Sequence, residues 1–347
     1  MQKFVRIFGL FLVGVFVATL VMTFQTYRVY SSKIKVDIKI LREAVANNFI
    51  SSSADLKVLT QTEEVKNLAD ANVGVNRDEV AALFAEFIKK NPGYAQLRFI
   101  TDTGNEIVRV DQSTSGVVTI SPASNLQNKA TRYYFSDTMK LMPGELYVSP
   151  LDLNIEHSKV VYPYEPTIRL ATPIADAAGE KVGILILNFN VSEVLDQLKK
   201  VDEADASYHI YFSNSDGDWF RAPNPEDDWA FMFPDGNAKR VRDEFPILWA
   251  NVLKADEKNV LTPEGYFHFE KIKPIELVQQ NQDAGDRFTY FSRYLSIRDF
   301  YMVVIIRIAR EDIPQLFLDN VIIANIFYIL MAGVLASVGG LALQKRK

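Results

Sequence analysis

The sequence predicts an α+β protein: a long N-terminal helix, then two tandem modules of antiparallel sheet, the whole flanked by two transmembrane helices. Three observations predict it. Two uncharged apolar stretches, Ile7–Phe24 and Val321–Leu343, bracket the 347-residue chain. Just after the first, apolar residues recur at spacings of three and four, the period of an amphipathic helix. Between residues 95 and 190, and again between 208 and 307, the pattern is strand, turn, strand, a helical excursion and closing strands.

Crossing a bilayer core of ~30 Å takes ~20 apolar residues in a helix. The first stretch has 18 uncharged residues and the second 23. Lys3 and Arg6 precede the first, and Lys345, Arg346 and Lys347 follow the second. Both ends are therefore expected in the cytoplasm, with the main domain periplasmic or extracellular. Read instead as a cleaved signal peptide, the first stretch lacks a small-x-small site, since its end reads Ala18-Thr19-Leu20-Val21-Met22. The expected division is a cytoplasmic N-terminus (1–6), a first transmembrane helix (7–24), a stalk or dimerisation helix region (25–74), a membrane-distal module (75–195), a membrane-proximal module (196–310), a connecting helix (311–320), a second transmembrane helix (321–343) and a short cytoplasmic tail (344–347).

Charge narrows the partners. The chain holds 38 Lys and Arg against 43 Asp and Glu. Five of the bases and none of the acids lie at the two ends, which leaves 33 bases against 43 acids outside. An acidic outer domain argues against nucleic acid and against an anionic lipid surface. There is no cysteine, so neither disulfides nor thiolate zinc sites are available.

The elements follow in order. Tyr30, Ile34, Ile38, Leu41, Val45 and Phe49 form one helical stripe, with Lys33, Lys35, Lys39, Arg42 and Glu43 between them. Such a helix either lies along its own domain or pairs with a second copy. Ser51-Ser52-Ser53 is expected to break it, with further helices over about 54–70 and 77–90. Asp102-Thr103-Gly104-Asn105 reads as the turn of a hairpin between 95–101 and 106–111. Strands are expected at 117–120, 146–149, 167–174 and 181–190, the last two joined by Asp176-Ala177-Ala178-Gly179, and a helix at 191–198. The second module repeats the outline: strands at 208–213 and 219–222 around Asn214-Ser215-Asp216-Gly217-Asp218, a short helix at 246–254, then strands at 265–270, 287–295 and 301–307.

At this point the outer region resembles a known family. Tyr94–Asp111, Tyr134-Phe135, Pro143–Glu156, Ile168–Pro173 and Gly183–Asn188, with Asn214–Gly217 and Trp229–Met232, resemble the double Cache (PDC-type) extracytoplasmic sensor domain of bacterial histidine kinases, diguanylate cyclases and chemoreceptors. The resemblance spans about 25–320 and implies two PAS-like modules, with a ligand held by the distal one. Amino-acid-binding members carry Arg-x-Trp-Tyr, a downstream Tyr, and an Asp at the end of the Gly-containing strand. Here Arg132-Tyr133-Tyr134-Phe135 stands at the first site and Asn188 at the place of the Asp. An arginine fork suits a carboxylate, but a neutral Asn188 cannot balance a buried ammonium. The expectation is thus a small carboxylate, a neutral polar molecule or no small ligand, and a free amino acid fits only if Asp152 or Asp176 reaches the pocket.

The expected ligand residues are Arg132, Tyr134, Tyr147, Asp152, Asn188 and Arg98. Most have a plainer alternative, which for Arg132 is an ion pair with an acid near the helix cap. Arg98 and Arg109 on strands are ordinarily surface or bridging residues. Asp152, Asn154 and Glu156 read as groups that order a loop by bonding backbone amides. Tyr134 and Tyr147 read as core aromatics.

The sequence calls for no cofactor, metal or enzymatic activity. His157, His209 and His268 have no metal-ligand spacing, and neither a phosphate loop nor a Gly-x-Ser-x-Gly elbow occurs. Asn214-x-Asp216-x-Asp218 departs from a calcium loop, because Gly217 is misplaced and Pro225 stands at position twelve; a β-turn is the expectation. The expected function is a two-pass inner-membrane sensor that binds a small ligand outside. With only four residues after Leu343, its signal is expected to pass to a separate partner chain. The alternative is a non-catalytic periplasmic scaffold for a polysaccharide, flagellar or envelope complex.

Overall fold

The computed structural model describes residues 2–69, 76–234, 239–276, 293–295 and 300–313, with 322 and 326 in addition. Helix α1 (Gln2–Leu59) runs without interruption. The expected break at the three serines does not occur, because their hydroxyls bond inside the helix. Ser51 Oγ donates to Asn47 O at 2.9 Å, Ser52 Oγ to Asn48 O at 2.6 Å and Ser53 Oγ to Ile50 O at 2.9 Å. A hydroxyl bonded to the preceding turn no longer competes with the helix. Packing adds to this, since Ser52, Ser53, Leu56 and Leu59 are all buried. The apolar stripe faces the core at Ile38, Val45 and Phe49. Among the described residues no helix is long and apolar enough to cross a membrane. Val321–Leu343 lies outside them apart from Ile322 and Ile326, as do most side chains of Ile7–Phe24.

Short α2 (Glu63–Ala69) follows, then α3 (Arg77–Lys89), capped by Asn76 and burying Val80, Phe84 and Ile88. The first sheet begins with β1 (Tyr94–Thr101), β2 (Glu106–Gln112) and β3 (Val118–Ile120). In the β1–β2 turn Gly104 has φ +85°, and a Cβ there would stand 2.6 Å from the Ala130 backbone nitrogen. Both features demand glycine. After α4 (Tyr133–Thr138) come β4 (Glu145–Val148), β5 (Asp152–Leu153), the small ribbon β6 (Ile155–Glu156) and β7 (Lys159–Val160), and the long pair β8 (Pro166–Ala175) and β9 (Lys181–Asn190). The order is β4-β8-β9-β1-β2-β3, with β5 also against β8, and these pairs are antiparallel.

Helix α5 (Ser192–Ala204) leads to the second sheet: β10 (His209–Asn214), β11 (Trp219–Arg221), α6 (Val241–Glu244), α7 (Pro246–Val252), β12 (Glu257–Thr262) and β13 (Gly265–Ile272). Next is β14 (Arg293–Leu295), then β15 (Met302–Ala309). The order is β11-β10-β15-β13-β12, again antiparallel. Two expectations change here. Of the strand expected at 287–295, only 293–295 is described, and it joins the first sheet as a parallel neighbour of β4 rather than the second. Edge strand β12 was not expected at all.

One face of both sheets packs on the helices. Leu97, Phe99, Leu185 and Leu187 of the first sheet share a core with Phe84 of α3 and Leu56 of α1. Ile210, Phe212, Val304 and Ile306 of the second share the same core. The opposite face of the second sheet forms its own core around Trp219, Phe245 and Phe267. The opposite face of the first sheet is different, and the candidate site lies on it.

Candidate ligand site

On that face the strands present side chains in alternation. Cross-strand partners set Gln96 beside Asn188, Asn188 beside Arg169, and Ala171 beside Tyr147. One half of the face is apolar: Ile100, Ile184, Ile186, Ala171, Phe135 and Leu141 cluster with Tyr134 and Tyr147. The other half is charged and nevertheless buried. Arg98 and Arg169 are each 1 % exposed.

A buried arginine needs partners on every side. Arg98 donates to Glu106 Oε1 at 3.2 Å, to the Tyr134 hydroxyl at 3.4 Å and to Asn188 Oδ1 at 3.0 Å. Asn188 in turn donates from Nδ2 to Gln96 Oε1 at 3.2 Å. An amide can accept from Arg98 and donate to Gln96 at once; an aspartate at 188 has no proton for the second bond. Asn188 is thus a link in an internal chain. Arg169 donates to Asp152 Oδ1 at 2.5 Å, and Asp152 Oδ2 accepts from the Tyr133 hydroxyl at 2.7 Å. Asp152 holds the Arg169 guanidinium well above its ordinary pKa although burial opposes this.

A further node is Glu156. It accepts from Arg109 at 3.1 Å, Lys129 at 3.2 Å, Gln127 at 2.9 Å and Gln96 at 3.2 Å. Burial alone would raise its pKa, but Arg109, Arg98 and Lys129 lower it to about 2. Asp152 and Glu156 therefore bond side-chain cations, not the backbone amides expected of loop-ordering groups.

Tyr134 stands at the centre. The guanidinium carbons of Arg98, Arg132 and Arg169 lie 5.6, 5.7 and 5.2 Å from its ring centroid. The ring face attracts each cation. Burial would push the Tyr134 hydroxyl up, yet Arg98, Arg169 and Lys129 bring it below the usual tyrosine value. Arg98, Arg109, Lys129 and Arg169 each have a carboxylate within 3.2 Å. Arg132 is half-buried at the start of α4, and among the described residues its guanidinium meets only the Tyr134 ring.

All six expected residues thus fall in one neighbourhood. Arg98, Tyr134, Asn188 and Arg132 gather on the charged half. Asp152 joins them through Arg169, which also lies over Tyr134. Tyr147 sits on the adjoining apolar half and borders an open cleft with Asp152. Asp176 is not among them: it closes the β8–β9 turn, bonding the amides of Ala178 and Glu180. Sequence reasoning passed over Arg169, Tyr133, Glu106 and Gln96. Arg169 left a signal, a charge inside the apolar run Ile168-Arg169-Leu170-Ala171.

A family model described as the sensor domain of bacterial histidine kinases matches residues 42–273. Search of the curated proteins gave no match. A domain of a protein assigned to the sensory box/GGDEF family of Vibrio parahaemolyticus superposes with a TM-score of 0.65 at 16% identity, covering 81% of this chain and 96% of its own. The extracellular domain assigned to the histidine kinase vpHK1S-Z8 superposes with a TM-score of 0.64 at 16% identity, covering 82% and 92%. At these identities the likeness is one of fold.

Proposed function

Since the chain belongs to the bacterial histidine kinase sensor domain family, of the double Cache kind, we propose that it senses a small carboxylate or neutral polar ligand at the charged face of its first sheet. Arg132, Tyr134, Arg98 and Asn188 form the ligand's surroundings, with Asp152 and Tyr147 at the margin. In this reading Ile7–Phe24 and Val321–Leu343 anchor the protein twice in the inner membrane, and the domain between them is periplasmic. The signal leaves through a separate partner chain, and α1 offers the surface for a homodimer.

The observation that carries the ligand class is Arg132. It is the cation of the Tyr134 cluster without a carboxylate among the described residues. A carboxylate there would complete the charge balance and accept two parallel hydrogen bonds. The test is thermal unfolding of the full chain in detergent with acetate, propionate, succinate and matched chloride salts. At least one carboxylate should raise the midpoint saturably, since ligand at 100 times its dissociation constant adds ~2.7 kcal/mol. Arg132→Gln should abolish that response while keeping its own midpoint. No response to any carboxylate or neutral polar compound, or a response that survives Arg132→Gln, defeats the proposal.

A further inference from the structure

Arg132 stands at the start of α4, and a neighbouring turn decides where that start lies. Helix α4 has six residues, too few to be stable on its own. The side chain of Arg132, its N-cap, makes no capping bond. Tertiary ties must therefore hold the helix at both ends. At the C-terminal end Lys181 Nζ donates to Met139 O at 2.5 Å and to Leu141 O at 3.2 Å, which satisfies carbonyls that the helix leaves open. At the other end, residues 127–130 are clipped to the β1–β2 turn.

The backbone supplies part of that clip. Glu106 N donates to Gln127 O at 3.0 Å, and Lys129 N to Gly104 O at 2.7 Å. Asn128 supplies the rest from an exposed position. Its Nδ2 donates to Thr103 O at 3.2 Å and to Asn105 Oδ1 at 2.8 Å, and its Oδ1 accepts from Ala130 N at 3.0 Å. One side-chain amide thus holds the turn with its donors and its own loop with its acceptor. Two residues on, Arg132 N donates to Lys129 O at 2.9 Å, so the clipped segment ends on Arg132. The turn is joined to the site as well, because Glu106 Oε1 meets Arg98 while Oε2 accepts from Gln127 N.

We propose that Asn128 is a positioning residue of the ligand site: it fixes Arg132 by clipping residues 127–130 to the β1–β2 turn, and it acts through Arg132 and not on the ligand. The inference rests on the reading of Arg132 as the partner of a carboxylate. The placement of Arg132 itself needs no ligand, and it is tested without one.

Phenylglyoxal modifies accessible arginines, and peptide mass spectrometry of the full chain in detergent assigns each modified site. Arg132 is half-buried against the Tyr134 ring, so it should react slowly. Asn128→Ala removes all three side-chain bonds and should speed modification of Arg132 several-fold. Arg98 and Arg169, each 1 % exposed, should stay protected, which a general loosening of the fold would not allow. Asn128→Asp keeps the bond from Ala130 N and loses both donors, so it should fall between. Acetate, propionate and succinate are then titrated by calorimetry. Each one that binds the unsubstituted chain should bind Asn128→Ala about tenfold more weakly, the effect of a fork left with one good hydrogen bond. An unchanged Arg132 rate in Asn128→Ala, modification of Arg98 and Arg169 along with it, or unchanged carboxylate binding despite a faster Arg132 would each overturn the assignment. If none of the three carboxylates binds the unsubstituted chain, the reading of the ligand fails, and the modification rates alone decide whether Asn128 places Arg132.

Discussion

Replacing Arg98 by methionine separates a structural arginine from a ligand arginine. The Arg98 and Glu106 side chains are 2% and 0% exposed and meet at 3.2 Å. Removing the cation leaves a buried carboxylate with the Gln127 backbone amide, at 2.9 Å, as its remaining hydrogen-bond partner among the described residues. It also strips Asn188 Oδ1 and the Tyr134 hydroxyl of their donor. Breaking one side of a buried pair costs ~3–5 kcal/mol, whereas replacing both sides with apolar groups is often close to neutral. Arg98→Met should therefore lose ~3–5 kcal/mol in urea unfolding, and Glu106→Leu a comparable amount. The double variant should lose much less than the sum, giving a coupling energy of at least ~2 kcal/mol. With a slope of ~2–3 kcal/mol/M the single variant's midpoint moves by ~1–2 M, well beyond measurement error. A loss under ~1 kcal/mol in Arg98→Met, or simple additivity, would refute the argument that this arginine is committed to the fold.

Other expectations concern pH and topology. Glu156 is held at about 2 by its cations, below its ordinary 4.5. A depressed carboxylate adds stability above its unfolded value and loses it as pH falls toward the folded one. Unfolding midpoints should thus drop between about pH 4.5 and 2 by an amount worth ~3 kcal/mol, and Glu156→Gln should flatten that drop. Asp228 is shifted the other way, to about 6, by burial, against the Ala222 amide and Arg221. Its charge is then a penalty above about pH 6 that fades as pH falls below the unfolded value near 3.8. Asp228→Asn should stabilise the protein by ~1–3 kcal/mol at pH 7.5 and hardly at all near pH 4. Because the chain has no cysteine, single introduced ones report topology cleanly. Val117→Cys, at a site 61% exposed, should react with an impermeant maleimide in spheroplasts. Lys3→Cys should react only after lysis; the reverse pattern defeats the two-pass reading.

Local chemistry made much of the fold readable. Turns spelled by Asp, Asn and Gly placed three hairpins correctly, and Asn214 closes its own by accepting from the amides of Asp216 and Asp218. Two misreadings share one cause, tertiary contacts overriding local preference. Of the serines that favour a helix break, Ser52 and Ser53 are buried, and all three are bonded within α1. Strand β12 buries only Val260 and Thr262 while Glu257, Lys258, Asn259 and Leu261 face out, so its sequence lacks a strong apolar signal. Arg293–Leu295 could not be assigned to a sheet by pattern, because its partner Glu145–Tyr147 lies about 150 residues away in sequence.

The site was readable as a neighbourhood but not as a network. The residue types that carry charge were visible, and strand alternation put Arg98 and Asn188 on one face. Which charges cancel depends on register: Arg169 finds Asp152 across β5 and β8, and Glu156 collects cations from β2 and from the loop before α4. Nothing in local spacing encodes that. The cancellation changes the meaning of Asn188. Its neutrality, read from sequence as the loss of an ammonium partner, is what lets it donate to Gln96 while accepting from Arg98. On the apolar half Tyr147 is pushed up, first by burial and then by Tyr133 and Asp137, while on the charged half Arg98 and Arg169 pull Tyr134 down against burial. Burial decides the first and the two neighbouring arginines the second, so the place of each tyrosine on the face, and not its residue type, sets its proton affinity.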